Sequence, residues 1–452
     1  MTEPGAPDKD RVPKDLEALI EAGDAAAVQD ALAGLHPSDV ADLVESLEDE
    51  EERLFVIRQL PEELASETLA EMEEVEHPAE LLAALGPVKG AALVHELEID
   101  DAADLIGDLE PEERDLILAE LPEEEAEDLE GLLQYHEETA GGLMTTGLVN
   151  VPGRMTAAEA IAEVRRQGRE VDDFYTVFVV DGRSRLQGTV PLHDLILADP
   201  HEKVSNLVEP IVASVRPDVD QEEVGRLLSR YNLVSMPVVN EFGTLLGRIT
   251  FDDVIDVIEA EQTEDILRMA GGSEDEEVRA PWTDAVRERL PWLFFNLIPA
   301  TMAAAVVYFF DATIAEVVIL AAVMPIIAAT GGNAGTQALA VTVRRISLSG
   351  GRIERRSAVG KEIRVGLVNG IAIGSTVALL ALVVDGNPLL GLVVLIAMWG
   401  TVLMGGFTGA FVPTVLSRRG IDPAIASSVF VTTLTDMFGF FLLLALASVL
   451  LL

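Results

Sequence analysis

The sequence predicts a multidomain membrane protein. In order, it should hold an α-helical superhelical N-terminal domain, two tandem α/β modules, a connecting helix and a five-helix transmembrane domain. Three observations carry this prediction. First, charge is segregated. The first 280 residues hold 69 of the 78 acids and 20 of the 31 bases, about −49, whereas the last 172 are about +2. Second, that last part contains five apolar runs of spanning length, and a bilayer core takes ~20 apolar residues per helix. Third, the acidic part carries an internal repeat and then alternates strand and helix patterns. Such an acidic surface repels nucleic acid and attracts cations. The chain has no cysteine, which excludes disulfides and thiolate metal sites.

The opening MTEPGAPDKDRVPKD, residues 1–15, is polar and has no signal-peptide pattern, so it reads as a disordered leader. The acidic α-helical domain follows over 16–140. DVADLVESLEDEEERLFVIRQLP (39–61) resembles DAADLIGDLEPEERDLILAELP (101–122). Asp39, Ala41, Asp42 and Leu43 recur as Asp101, Ala103, Asp104 and Leu105, and apolar residues fall at helical spacing between proline-containing breaks. A helical solenoid with acidic faces is the expectation.

After residue 140 the pattern changes. GLVNVPGRMTAAEAIAEVRRQG gives a strand, a turn and an amphipathic helix, and DFYTVFVVDGRSRLQGTVPLHDLI gives strand, Asp-Gly turn, strand and helix. The order returns in IVASVRPDVDQEEVGRLLSRYN and SMPVVNEFGTLLGRITFDDVIDVI. Two β-α-β-β-α units are expected, at 141–202 and 203–259. They resemble paired cystathionine-β-synthase-type (CBS) regulatory modules. The resemblance implies that Thr250 and Asp253, in GRITFDD, hold the ribose of an adenine nucleotide. Helix capping is the structural alternative. In the first module Pro191 replaces the hydroxyl, which argues against the same use there. A connecting helix is expected over 260–285, with Ile255, Val257, Ile258 and Ile266 on an apolar side and Glu259, Glu261, Glu264 and Asp265 supplying acids.

The transmembrane domain is expected over 286–452, with apolar runs at 291–310, 317–343, 365–384, 386–417 and 423–452. The loop 344–364 holds seven bases, Arg287 and Arg289 precede the first run, and Arg418 and Arg419 precede the last. The other two loops carry no base, only the acids Asp311, Glu316 and Asp385. By the positive-inside tendency the N-terminus is cytoplasmic and the C-terminus outside. Asp436 is the one charge in the final run, about 20 Å along a helix at ~1.5 Å per residue. A charge near the bilayer centre costs about 2.5–3.5 kcal/mol on insertion scales, so it usually faces water or a partner. No basic residue lies in the five runs, which makes a passing cation the natural partner. A protonated Asp bonded between helices is the alternative. Asn333, Thr336 and Gln337 can add oxygens, and Gly331, Gly332 and Gly335 let backbone approach closely, either for an ion or for helix packing. All six histidines precede residue 202, leaving hard ligands for a hard ion such as Mg2+ in the membrane part.

This domain order, with HEETAGGLMTT (136–146), MPIIAATGGNAGTQ (324–337) and TTLTDMFGFF (432–441), resembles the MgtE family of magnesium channels. The resemblance implies a homodimer in the cell membrane whose pore runs between the two sets of spans. It implies that Asp436 from each subunit selects hydrated Mg2+; Asn333, Thr336, Gln337 and Gly332, which can add oxygens or close backbone approach, are the further pore candidates. It further implies that cytoplasmic Mg2+ bound between acidic surfaces closes the pore through the connecting "plug" helix, with ATP tuning that sensitivity. The corresponding sensor acids are Asp253, Glu261, Glu264, Asp265, Asp422, Asp220 and Glu222, with Asp100, Asp101 and Asp104 as candidates in the helical domain. Tyr231-Asn232-Leu233 departs from the family's Tyr-Asp-Leu. Two other functions fit parts of the pattern. An ion-coupled secondary transporter would use Asp436 as its coupling site. An intramembrane aspartyl protease needs two catalytic aspartates in a Gly-x-Gly-Asp context, which Thr-Leu-Thr-Asp-Met does not supply. The five spans exclude a soluble enzyme, and the chain is expected not to be an enzyme.

Overall fold

The computed structural model of the chain describes residues 16–47, 49–72, 76–169, 171, 174–272, 282–349, 355–425 and 428–452. The leader expected over 1–15, and part of the segment expected to continue the connecting helix, lie outside them. The chain divides into two compact units, up to Ile258 and from Glu259 onward.

The first unit begins with short helices, from Leu16–Glu21 to Glu123–Leu132. Their starts are written in the sequence. Asp24 and Asp49 accept hydrogen bonds from the backbone N–H groups of Ala27 and Glu51 (3.2 and 2.8 Å), while Pro37, Pro78, Pro87 and Pro111 occupy first helical positions, where the missing N–H costs nothing. The two repeat copies fold alike. Val40, Leu43 and Val44 of helix Pro37–Ser46 are buried, as are their counterparts Ala102, Leu105 and Ile106 of helix Ile99–Gly107. Val56 and Ile57 likewise correspond to Ile117 and Leu118.

In the first α/β module, β1 (Asn150–Pro152) runs parallel to β2 (Thr176–Val180), which pairs antiparallel with β3 (Leu186–Pro191). Thr156 and Glu159 form a capping box at the start of helix Ala157–Gln167. In the second module, helix Gln221–Tyr231 precedes the antiparallel pair β4 (Ser235–Val239) and β5 (Leu245–Thr250). The strand expected from IVASV is only a single bridge, Val215 to Val238. Pro210 and Pro217 bracket it, and proline cannot donate to a ladder.

The modules differ in what they pack against. Val149, Val151, Val177, Val179 and Val190 build a separate core for the first. Val224, Leu228, Met236, Val238 and Ile249 of the second join the continuous core of the helical domain. The segment 140–147 explains the join. Ala140 N–H donates to Val219 O (2.7 Å), and Thr145 exchanges two backbone hydrogen bonds with Arg248 (both 2.9 Å). Sequence alone assigns this stretch to the first module, yet its hydrogen bonds go to the second. A Cβ at Gly247 would lie 2.6 Å from Thr145 O, so this closeness requires glycine. Helix Phe251–Ala270 then leaves β5 directly, starting inside the stretch assigned to the second module rather than at 260.

The second unit holds five helices, among the described residues, that are long and apolar enough to cross a membrane: Trp282–Phe309, Ile319–Ser349, Arg355–Asp385, Pro388–Ser417 and Ser428–Leu450. The fourth is the hub, with Leu390, Val393, Val394, Ala397, Met398, Val402 and Ala410 all buried. The third span meets it along Gly366, Gly370 and Gly374, one glycine per turn. A Cβ at these positions would reach Val402 O at 3.2 Å, Trp399 O at 3.1 Å and Leu395 O at 3.1 Å. The second span meets it through Gly331 and Gly335. A Cβ on Gly405 would lie 2.8 Å from Gly331 O and 3.0 Å from Gly335 N. Close backbone approach through small residues is the packing mode favoured where lipid removes the hydrophobic drive between helices.

Gly405→Val is therefore expected to destabilise the membrane unit, by about 1–3 kcal/mol on the scale of overpacked cores, seen as a lower thermal midpoint in detergent. Gly360→Ala, inside a helix and with nothing within 4 Å of an added Cβ, should keep the midpoint or raise it slightly. Equal midpoints for the two variants would contradict the glycine contact.

Candidate cation sites

The expected functional residues fall into three groups. The first lies within the first unit. Asp100, Asp101 and Asp104 stand on helix Ile99–Gly107, and Asp253 stands on the first turn of helix Phe251–Ala270. Asp100 is 7% exposed, and its Oδ1 is buried with no hydrogen-bond partner. Burial, then the nearby charges of Asp253 and Asp101, hold the Asp100 carboxyl well above the usual carboxylate range. Asp101 is pushed up to about 7, by burial first and then by Asp253, Glu98 and Glu71. Asp104 is also pushed up to about 7, by burial and then by Asp101 and Asp108. Asp104 keeps an exposed edge while Asp101 is half-buried, so water screens Asp104 more and Asp101 should dominate the response.

Asp253 is raised by burial, against the opposing hydrogen bonds from Thr250. The Thr250 hydroxyl donates to Asp253 Oδ2, and its backbone N–H reaches the same oxygen at 3.3 Å. This is a helix-start arrangement, the structural alternative weighed for this pair. In the first module Pro191 makes no such side-chain bond. Asp220 caps helix Gln221–Tyr231 by accepting from Glu222 N–H (2.9 Å). Asn232 ends that helix in the left-handed region at φ 50°, a conformation Asn tolerates.

The second group lies in the second unit. Glu261, Glu264 and Asp265 follow on helix Phe251–Ala270, and Arg268, which the sequence reading did not single out, joins them. Arg268 pairs with Glu264 one turn back and donates to Asp422 Oδ2 at 2.8 Å, in the loop before the fifth span. Asp422 Oδ1 in turn accepts from Ala424 N–H (2.8 Å). Burial and then Asp422 raise the Asp265 carboxyl, opposed by a hydrogen bond from Ser347 and by Arg268. Met269 packs beside Leu339, Val343, Ala424 and Val431, so this end of the connecting helix is seated on the second and fifth spans and the loop before the fifth. The i, i+4 spacing of Glu264 and Arg268 was the available sequence signal.

The third group is in the spans. Asp436 is half-buried on the fifth, one turn beyond Thr432 and next to the fully buried Thr435. A Cβ at Gly332 would lie 3.1 Å from Thr432 Cγ2, and Gly439, one turn after Asp436 on the side of Thr435, abuts Thr401. The glycine segment of the second span thus adjoins the helix that carries Asp436. Asn333 and Thr336 are exposed on the second span. Gln337 is exposed too and lines a cleft shared with the third and fourth spans. Among the described residues, no three His, Asp or Glu side chains are close enough together to hold a metal ion within the single chain.

Comparison with known proteins bears on the same segments. Residues 324–446 match a family described as a divalent cation transporter, MgtE. Residues 35–138 match the MgtE intracellular N domain, and residues 140–201 and 204–260 match the CBS domain. The magnesium transporter MgtE of Thermus thermophilus is 34% identical over 446 residues, covering 96% of this chain and 98% of the relative. That of Enterococcus faecalis is 35% identical, covering 68% of each. A crystal structure of the cytosolic domain of the Mg2+ channel MgtE in complex with ATP is 36% identical, with a TM-score of 0.51, and covers 54% of this chain and 98% of that one.

The carboxylate crowding around Asp100 has a pH consequence. Asp101 and Asp104 titrate near 7 when folded and near 4 when unfolded, so the folded state favours their protons. Their contribution is fully present below pH 4 and is lost as pH rises through 7. Without divalent cations, the full chain should unfold at a lower temperature at pH 8 than at pH 5.5. Asp101→Asn/Asp104→Asn should flatten that dependence; an unchanged slope would remove the cluster as its cause.

Proposed function

Starting from the premise that the chain belongs to the MgtE family of divalent cation transporters, we propose that it is a Mg2+-selective channel importing Mg2+ and closed by cytoplasmic Mg2+. Two relatives compared above are named magnesium transporters and a structural neighbour a Mg2+ channel; the function is transport, not enzymatic. The observation that carries the pore is Asp436, an acid half-buried within a span and set beside a glycine-packed helix pair. In a homodimer two such carboxylates meet the same ion. Mg2+ sheds water reluctantly, so few carboxylates with amide and carbonyl oxygens suit a largely hydrated ion. Asn333, Thr336 and Gly332, on the second-span segment that adjoins the fifth span, would add such oxygens, with Gln337 at its edge toward the third span.

Closure rests on the two cytoplasmic carboxylate groups. Asp100, Asp101, Asp104 and Asp253 repel one another, and Mg2+ bound among them would relieve that repulsion and favour the compact form. Glu261, Glu264, Asp265 and Asp422 form the corresponding group at the connecting helix, with Asp220 and Glu222 as further acids of the second module. Negative feedback then follows, because an ion bound inside stabilises the closed form. The likeness to the ATP-bound cytosolic domain supports nucleotide binding through Thr250 and Asp253, which would require Asp253 to exchange its hydrogen bond with Thr250 for the ribose. Orientation follows the basic loops, with the N-terminus inside and the C-terminus outside the cell membrane.

Patch recording tests the pore. Asp436→Ala and Asp436→Asn should each lower Mg2+ current by more than about tenfold, the loss of at least 1.4 kcal/mol of ion stabilisation. Unchanged Mg2+ conduction in both variants would sink the assignment, and saturable flux locked to a proton gradient would replace the channel by an ion-coupled transporter. Closure is tested separately. Glu261→Ala/Glu264→Ala/Asp265→Ala should need several-fold more internal Mg2+ to close, and closure at the wild-type concentration would remove these acids from the sensor.

A further inference from the structure

A cleft of about 230 Å3 lies between the second and third spans, floored by the fourth. Its floor is Ala338, Gly366, Val402 and Gly406, and its rim is Gln337 and Val341 on one side and Lys361, Val365 and Asn369 on the other. Residues 361, 365 and 369 are four apart and form one stripe along the third span. Four polar side chains line the cleft, Gln337, Lys361, Asn369 and Glu362, and only the last of them is buried. Glu362 lines the cleft and is 8% exposed, in a helix long and apolar enough to cross a membrane. Its Oε1 lies 3.4 Å from the exposed Lys361 Nζ. Glu362 is the fifth residue of the candidate span Ala358–Asp385, about 6 Å inside its start at ~1.5 Å per residue. With the start of that span taken at the membrane surface, this is the depth of lipid headgroups. The cleft extends deeper toward Ala334, Val365 and Val402, with Asn369 as the one polar side chain at that end.

The pattern selects its ligand by charge and polarity. A buried carboxylate is costly unless a cation and hydrogen-bond donors reach it. A divalent cation is disfavoured, because there is one carboxylate and a lysine ammonium already stands beside it. An anionic headgroup would meet the carboxylate on the floor. A second protein copy would have to bury the Lys361–Glu362 pair, which seldom gains stability. What matches is a zwitterion with an apolar tail: cation to Glu362, anion to Lys361, chain along the valines and alanines. We propose that this cleft binds a phospholipid with a primary-ammonium headgroup. The ammonium donates to Glu362, the phosphate sits at Lys361, and one acyl chain runs inward past Ala338 and Val402. Such a lipid would fill the gap between the second and third spans beside Gln337, on the helix whose glycine segment adjoins the Asp436 span.

The test uses the full chain, delipidated and reconstituted into nanodiscs of matched acyl chains carrying phosphatidylethanolamine, its N-methylated series or phosphatidylcholine. The readouts are lipid adducts retained in native mass spectrometry and the thermal midpoint. Wild type should retain phosphatidylethanolamine over phosphatidylcholine by about tenfold, the difference of one charge-assisted hydrogen bond, and lose that preference stepwise with methylation. Glu362→Gln should abolish the preference and Glu362→Asp should restore part of it. Equal retention of all headgroups by wild type, or a preference that survives in Glu362→Gln, overturns the proposal. So does Glu362-dependent stabilisation by Mg2+ alone, which would make the cleft a cation site. The lipid series on wild type decides the matter even where a variant fails to fold.

Discussion

Backbone contact between helices is the constraint on which the membrane unit depends. Gly405 faces the Gly331 carbonyl and Gly335, and Gly332 admits Thr432 of the fifth span. Side chains larger than hydrogen there would push the second span from the fourth and fifth. Asp436 is set in place by that closeness, because its helix can lie against the glycine segment only where both backbones come together. Gly331, Gly332 and Gly335 are buried, with the Gly331 and Gly335 carbonyls turned to Gly405 and Gly409 of the fourth span, so the packing reading of these glycines is the one the contacts carry.

The first unit is governed by the opposite effect, repulsion. Asp100 is buried with an unpartnered oxygen, and the strongest neighbours of Asp101 are other carboxylates, whereas Asp253 also accepts from Thr250. Such a cluster holds protons or cations, or it loosens. In the connecting helix the acids have an arginine instead. Arg268 joins Glu264 and Asp422, so part of the charge at that end is already compensated. A cation arriving there must displace or share with a guanidinium, whereas one arriving at Asp100 competes only with protons. Under the proposed feedback, the two groups should therefore differ in their pH dependence, with the Asp100 group the more sensitive near pH 7.

Much of this was legible in the sequence because it is local. Charge segregation, apolar runs of spanning length, the Asp39/Asp101 repeat and the Asp-Gly turn each specify structure within a few turns of helix or strand. The domain order and family followed from short motifs. What was not legible depends on distant partners. Residues 140–147 belong by sequence to the first module, yet Thr145 pairs with Arg248, and nothing in HEETAGGLMTT announces that pairing. The IVASV strand failed because its flanking prolines outweigh its β-branched residues. Asn333, Thr336 and Gln337 look equivalent in a one-dimensional string, but only Gln337 turns toward the third span.

Glu362 shows most clearly why a sequence understates a membrane protein. Beside Arg355, Arg356, Lys361 and Arg364 it reads as one acid in a basic loop, and basic loops are read for topology. The helix in fact begins by Arg355, so Glu362 already lies two turns inside it and one turn before the Gly366-Gly370-Gly374 stripe. That stripe draws the third span onto the fourth, while the second span is drawn onto the fourth by different glycines. The second and third spans are each held mainly by this common fourth and meet each other at few points, which leaves room for the cleft between them. The carboxylate in that gap has one cation from its own chain, the exposed Lys361 ammonium at 3.4 Å; in the proposed lipid site the headgroup ammonium adds hydrogen-bond donors from outside while the phosphate takes up Lys361.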